Sequence, residues 1–209
     1  MPRGFSSIHP DQERRLRAVG LKSSQITQGV GGVSASAGLH VPVGTKGGRR
    51  FGWCIDLSVR DKHDAKAFRP TRANFDALVA HGFVPFYRSG GSWAGNEHYH
   101  LVDVAWLKND AGKVPNHGML PRSQVEDFLK TPPRNGLRGH APLSKAWSPT
   151  KSQQAVIRQI FRTGKAPQPE SLAVKVCDVK TGRVIETHQL APNGDHLDDQ
   201  GKIYVIVKE

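Results

Sequence analysis

Three short segments hold the residues whose types and spacing could do chemistry: Gly38-Leu39-His40, Gly52-Trp53-Cys54-Ile55-Asp56 and Glu97-His98-Tyr99-His100. They supply imidazoles, a carboxylate set in an apolar run, and a second carboxylate beside histidine. That is the inventory of a catalytic zinc site, in which three protein ligands leave a fourth position for water and a nearby carboxylate takes the water's proton. His40, Asp56 and His100 could be the ligands, with Glu97 as the base. Residues two apart on a regular strand share a face, so His98 and His100 would project together and Glu97 away from them. A turn or bulge at Asn96-Glu97-His98, for which Gly95-Asn96 is suited, would bring Glu97 and His100 together. His98 stays open as an alternative ligand or as a hydrogen-bond donor to a transition state. Lone histidines more often sit on the surface or in a hydrogen-bonded core, so His9, His63, His81, His117, His140, His188 and His196 receive no role.

The elements that must position these residues follow from periodicity and punctuation. Pro10 opens a short helix that Gly20 closes, and the glycine-rich stretch 22–48 around His40 reads as an irregular loop. Phe51 to Val59 is β-prone with Asp56 embedded, and a buried carboxylate needs a partner. A helix from Pro70-Thr71 to His81-Gly82 precedes a strand over Phe83 to Arg88, whose hairpin partner runs from His98 to Trp106. Further helices are expected from Pro121 to the Pro132-Pro133 pair and over Ser152 to Phe161, with Gly164 as the stop. A hinge near Lys165-Ala166-Pro167 divides the chain into residues 1–165 and a β-rich appendage, 166–209. The appendage is a meander of Leu172–Val179, Arg183–Leu190 and Ile203–Val207. Its Asp195, His196, Asp198 and Asp199 lack a calcium-loop register and read as a solvated acidic turn. The fold class is α+β, a small antiparallel sheet flanked by helices with a C-terminal β meander.

Composition bounds the partners. The 209 residues are 37% hydrophobic and 23% charged, an ordinary globular balance. No stretch has the length of a membrane helix, and the first residues lack the apolar core of a signal peptide. The two cysteines, Cys54 and Cys177, lie in apolar or strand-like runs and read as buried small side chains rather than a disulfide framework. A net charge of +12 favours polyanions such as anionic wall polymers. Nucleic acid has only this charge in its favour, because no basic helix or aromatic-rich sheet motif accompanies it.

The three segments resemble the pattern of the zinc D-Ala-D-Ala peptidases that share a fold with the Hedgehog signalling domain, a group including carboxypeptidases, vancomycin-resistance dipeptidases and phage endolysins. That pattern is a histidine, then Gly-x-Ala-x-Asp, then Glu-x-x-His; here cysteine replaces the alanine. Ser34-Ala35-Ser36-Ala37-Gly38-Leu39-His40, Gly82-Phe83-Val84-Pro85-Phe86-Tyr87-Arg88, His98-Tyr99-His100 and Asn135-Gly136-Leu137 are similar to a branch from actinobacteria and their phages. The resemblance covers roughly residues 28–140 and nothing beyond 150. His40 and Asp56 stand further apart than in the compact family pattern, and the insertion carries Lys46, Arg49 and Arg50.

The resemblance implies a Hedgehog/DD-peptidase-like fold and a zinc peptidase of peptidoglycan stem peptides, with His40, Asp56 and His100 as ligands and Glu97 as base. It also implies a cation near the substrate carbonyl or carboxylate, for which Arg49, Arg50, Arg60 and Arg88 are candidates; Trp93 is a candidate substrate contact. With no signal peptide, a phage lysin held in the host cytoplasm until release, or a virion-associated protein contacting tail proteins, is the expected setting. The competing expectation is a phage structural or wall-binding protein carrying an inactive version of the fold.

Overall fold

The computed structural model describes residues 4–30, 39–59, 68–105, 107, 119–136, 142–165, 172–177 and 184–190. The chain divides into two compact units, residues 1–167 and 168–209. The first is α+β, with a small antiparallel sheet and four α-helices among the described residues.

Helix α1 spans Pro10–Ala18. Its cap is a histidine: His9 Nδ1 accepts from the Asp11 amide at 3.0 Å, and Gln12 Oε1 accepts from the His9 amide at 2.9 Å. This reciprocal pair satisfies amides that the first helical turn would otherwise leave open. Strand β1, Ile26–Gln28, lies within the segment expected to be irregular. Three residues are too few for a periodic signal, and the strand exists through its pairing with β4, Cys54–Ser58. The same segment also ends in a strand. Between them β2, Gly44–Lys46, and β3, Arg49–Phe51, form a separate hairpin turned by Gly47 at φ 56° and Gly48 at φ 73°. Two successive positive-φ residues are what a tight hairpin turn requires, so these glycines mark a hairpin rather than a loop. The strand expected over residues 51–59 is accordingly two strands in different sheets.

Helix α2, Arg72–Ala80, is capped by Thr71, whose hydroxyl accepts from the Asn74 amide. It leads into β5, Phe83–Arg88, which pairs antiparallel with β6, His98–Asp103. Strand β6 ends three residues short of Trp106 because the chain turns helical at Val104. Helix α3 covers Met119–Phe128, starting before Pro121, and α4 covers Lys151–Thr163 between a Thr150 capping box and Gly164 at φ 69°. The sheet order is β1-β4-β6-β5, so β4 and β6 are its central strands. In the second unit β7, Leu172–Cys177, pairs antiparallel with β8, Val184–Leu190. The third expected strand and the acidic turn lie outside the described residues.

Ile55, Leu57, Tyr99, Leu101, Phe75, Leu78, Ile157 and Ile160 are buried in one core. A charged pair is buried with them: the Arg15 guanidinium binds the Asp103 carboxylate and also donates to the His81 carbonyl at 3.0 Å. This pair joins α1 to the end of β6. Removing Arg15 takes the guanidinium away from a fully buried carboxylate, a loss of about 3–5 kcal/mol. Arg15→Met is therefore expected to lower unfolding free energy by about that amount in urea titration; a loss below about 1 kcal/mol would show that Asp103 is satisfied without it.

A candidate metal centre

The pairing of β4 with β6 sets Asp56 directly opposite His100. Side chains at such paired positions lie about 5 Å apart at Cβ, close enough for an imidazole and a carboxylate to meet. They do: His100 Nδ1 is 2.8 Å from Asp56 Oδ1. His40 enters from the loop before β2, and its Nε2 lies 3.3 Å from Asp56 Oδ2. The two imidazoles stand edge to face, with centroids 5.4 Å apart. All three residues are buried, one donor atom from each lies within 4.8 Å of the others, and the set could hold a metal ion.

The outer nitrogens of both rings are tied. His40 Nδ1 donates to the Gly29 carbonyl at 3.1 Å, which leaves a lone pair on Nε2 of the neutral ring. Nε2 is buried and has no hydrogen-bond partner, although the Asp56 carboxylate faces it. His100 Nε2 lies 3.1 Å from Gln124 Oε1, and a ring proton there donates to that oxygen. With the protons on the outer nitrogens, the inner nitrogens of both rings face the carboxylate with lone pairs, the ligand-plus-tied-imidazole form of metal-binding histidines; with the proton on His100 Nδ1 instead, that ring donates to Asp56 Oδ1 at 2.8 Å.

Electrostatics agree with the geometry. Burial alone pushes the Asp56 carboxyl up, but the His100 and His40 rings that face it hold it well below the usual carboxylate range. Burial, aided by the charge of Arg88, lowers His100 to about 4 against the pull of Asp56. Near neutral pH the centre therefore holds an ionised carboxylate and an uncharged His100 ring, as metal coordination requires.

The wall of the centre comes from the same sheet face. Arg88 pairs with His98 in register, as Phe86 does with His100. Arg88 is only 7% exposed, and its Nε and Nη2 have no hydrogen-bond partner. Burial lowers its pKa to about 10, opposed by the Asp56 charge. Its guanidinium stacks 5.0 Å from the Trp93 ring, which meets His98 edge to face at 4.9 Å. His98 Nδ1 donates to the Asn96 carbonyl at 2.7 Å, leaving Nε2 as an acceptor 3.5 Å from Arg88 Nη1. In this tautomer His98 supplies no proton on that side, and the ligand set contains His100 rather than His98.

The other named residues are placed differently. The turn before β6 uses Gly95 at φ 84°, while β6 itself pairs without a bulge from His98 onward. Glu97 precedes the strand, and its Oε1 accepts from the Gly95 amide at 3.1 Å. Arg49 is bound to Glu13 and donates to the Phe5 carbonyl, so α1 and the segment before it hold its charge. Arg50 is exposed on β3, and Arg60 lies outside the described residues. Of the tryptophans, Trp53 is fully buried and Trp147 packs on Phe75, Tyr87 and Tyr99; Trp106 lies outside the described residues. Cys54 is buried and unpaired with another cysteine.

Gln124 and Gly29 also belong to the centre; Gln124 was not singled out by sequence, and Gly29 only as one of the glycines whose backbone bends tightly or approaches something closely. Gly29 sits so close to Ser7 that an added Cβ would lie 2.2 Å from the Ser7 carbonyl oxygen. Its smallness lets its own carbonyl reach His40, a role no local motif announces.

The His100 shift carries a sign. Its folded pKa lies below its unfolded value of about 6.5, so the unfolded chain binds the extra proton between about 6.5 and 4. Stability is full above that window and is lost as pH falls through it, by on the order of 3 kcal/mol from this residue. Urea unfolding of chelator-treated protein at about pH 7 and about pH 4.5 should show the loss, and His100→Gln should make the slope shallower. An unchanged slope in that variant would contradict a neutral buried ring. No family model, curated protein or solved structure matches this chain, and the functional reading rests on this centre.

Proposed function

We propose that the protein is a zinc-dependent peptidase of peptidoglycan, cleaving stem-peptide amide bonds of the D-Ala-D-Ala or L-Ala-D-amino-acid type. The observation that carries this reading is the buried His40, Asp56 and His100 set with its outer ring nitrogens tied. Three protein ligands of nitrogen and oxygen type are what catalytic zinc takes, whereas structural zinc takes four. Bound zinc supplies a water acidified to near neutrality and polarises the scissile carbonyl.

The chain's own residues do the rest. His40 and His100 hold their lone pairs toward the carboxylate of Asp56. Glu97 takes the proton of the attacking water and returns it to the departing amine, for which its carboxylate leaves the Gly95 amide. Arg88, buried beside the centre with guanidinium nitrogens free, receives an anionic group of the substrate, and Trp93 holds the guanidinium plane. The basic surface keeps the enzyme on anionic wall polymers. A phage or prophage lysin, free or attached to a virion tail, suits such a substrate. Among the described residues no helix is long and apolar enough to cross a membrane.

One observation favours a second reading, a structural or wall-binding protein with an inactive centre: the Glu97 carboxylate engages the Gly95 amide. Glu97→Ala separates the two. Zinc content should stay at one equivalent while release of new amino termini from peptidoglycan falls by about 10²–10⁴-fold. Zinc without cleavage on several wall types supports the second reading, and absence of zinc removes the centre from both. Arg88→Gln should keep the zinc and slow cleavage by about 10²–10³-fold, the scale of losing one preorganised donor; a wild-type rate would remove Arg88 from the substrate site.

A further inference from the structure

The strongest unclaimed feature is the amide of Gln124. It lies on α3, is 1% exposed, and places Oε1 3.1 Å from His100 Nε2. Its own Nε2 is buried with no hydrogen-bond partner. Buried amides that leave their donors unused are uncommon, because each unmet group costs about 1–3 kcal/mol. The chain nevertheless packs tightly around this one. A Cβ added at Gly136 would lie 2.6 Å from Gln124 Cγ and 3.0 Å from its Cα, so the turn after α3 is seated directly on this residue.

His100 shows why an amide stands there. The neutral ring has one proton and two neighbours that accept: Asp56 Oδ1 at Nδ1 and Gln124 Oε1 at Nε2. With the amide in this orientation, both contacts are met when a cation takes the place of the proton at Nδ1. Without the cation, the proton belongs at Nδ1 facing the carboxylate, and Nε2 then needs a donor. A glutamine meets either need by turning its amide end for end, since oxygen and NH2 occupy nearly the same volume. A carboxylate could only accept, and an apolar residue could do neither.

We propose that Gln124 is the positioning residue of the metal centre, whose amide orientation selects Nδ1 of His100 as the metal ligand. This rests on the metal reading above and adds to it which nitrogen binds and what holds it. In the loaded state Nε2–H donates to Oε1; in the empty state the amide turns and donates to Nε2. His40 needs no such residue, because the Gly29 carbonyl accepts in both states and keeps Nε2 as its ligand atom. The centre thus pairs a fixed histidine with an adaptable one.

Zinc affinity, read by competition with a chromophoric chelator, tests the idea first in the wild-type protein. Failure of the wild type to bind zinc would overturn the metal reading and this inference together. Given wild-type binding, Gln124→Met, of similar volume, should bind about 10–100-fold more weakly, and Gln124→Glu should keep the wild-type affinity or exceed it. Equal affinity in the Met variant would overturn the role of Gln124 and leave the metal centre standing. Two-bond 1H–15N correlation of histidine rings in the wild type supplies a readout that survives if a variant does not fold. With zinc, His100 should show a protonated Nε2 and a metal-bound Nδ1, and His40 the reverse. After chelation the His100 proton should move to Nδ1. A zinc-loaded protein with Nε2 of His100 on the metal would refute the proposal.

Discussion

The organisation of the first unit depends on one buried carboxylate. Asp56 lies on a central strand, where its charge would cost several kcal/mol if unanswered. Its answer comes from two directions: His100 across the sheet ladder, by register alone, and His40 from a loop that the Gly29 carbonyl holds in place. Each partner demands further structure. The register between β4 and β6 cannot slip by one residue without turning His100 to the opposite face. Gly29 reaches His40 only because it follows the β1 bulge and presses against Ser7.

A second charge lies near the first. Arg88 is buried on the same face with a guanidinium that protein groups only partly satisfy, and the Asp56 charge helps keep it protonated. Carboxylate and guanidinium therefore sustain each other without forming an ion pair. The arrangement leaves each with unused capacity: a carboxylate flanked by two imidazoles can take a cation, and a guanidinium with open donors can take an anion. A folded chain that keeps two opposite buried charges apart forgoes the stabilisation of joining them. That arrangement marks a candidate ligand site, as the proposed function requires.

Much of this was readable from residue types, and the reasons differ from element to element. Strand β5 and helices α2 and α4 stand where periodicity and caps put them, because their apolar faces match what they bury. Asp56 was conspicuous as a charge in an apolar run, and His98 and His100 shared a face by strand period alone. The misses share a cause. Strand β1 and the strands of the β2–β3 hairpin are too short to show a period; β1 owes its existence to a partner far along the chain, and β2 and β3 to each other across the Gly47-Gly48 turn. Glutamine on an amphipathic helix reads as surface, so Gln124 carried no signal of its own. Arg49 looked like a free cation in an insertion because its partner, Glu13, belongs to a distant helix.

Rigidity and mobility divide along the same lines. Asp56, His100 and Arg88 stand on paired strands, and Gln124 is clasped between a helix and the turn at Gly136, so neither the ligand frame nor its support can drift without opening the sheet or the core. Glu97, by contrast, sits where β6 gives way to a turn containing Gly95, whose backbone amide donates to its carboxylate. A metal ligand gains from being fixed, since ligand disorder costs affinity. The proposed base would move a proton between water and a leaving amine, a task for which a side chain beside a turn is less constrained than one within a paired strand. The proposed reading therefore gives the holding of an ion to a set fixed by paired strands and the transfer of a proton to a turn-borne carboxylate, two tasks with different demands.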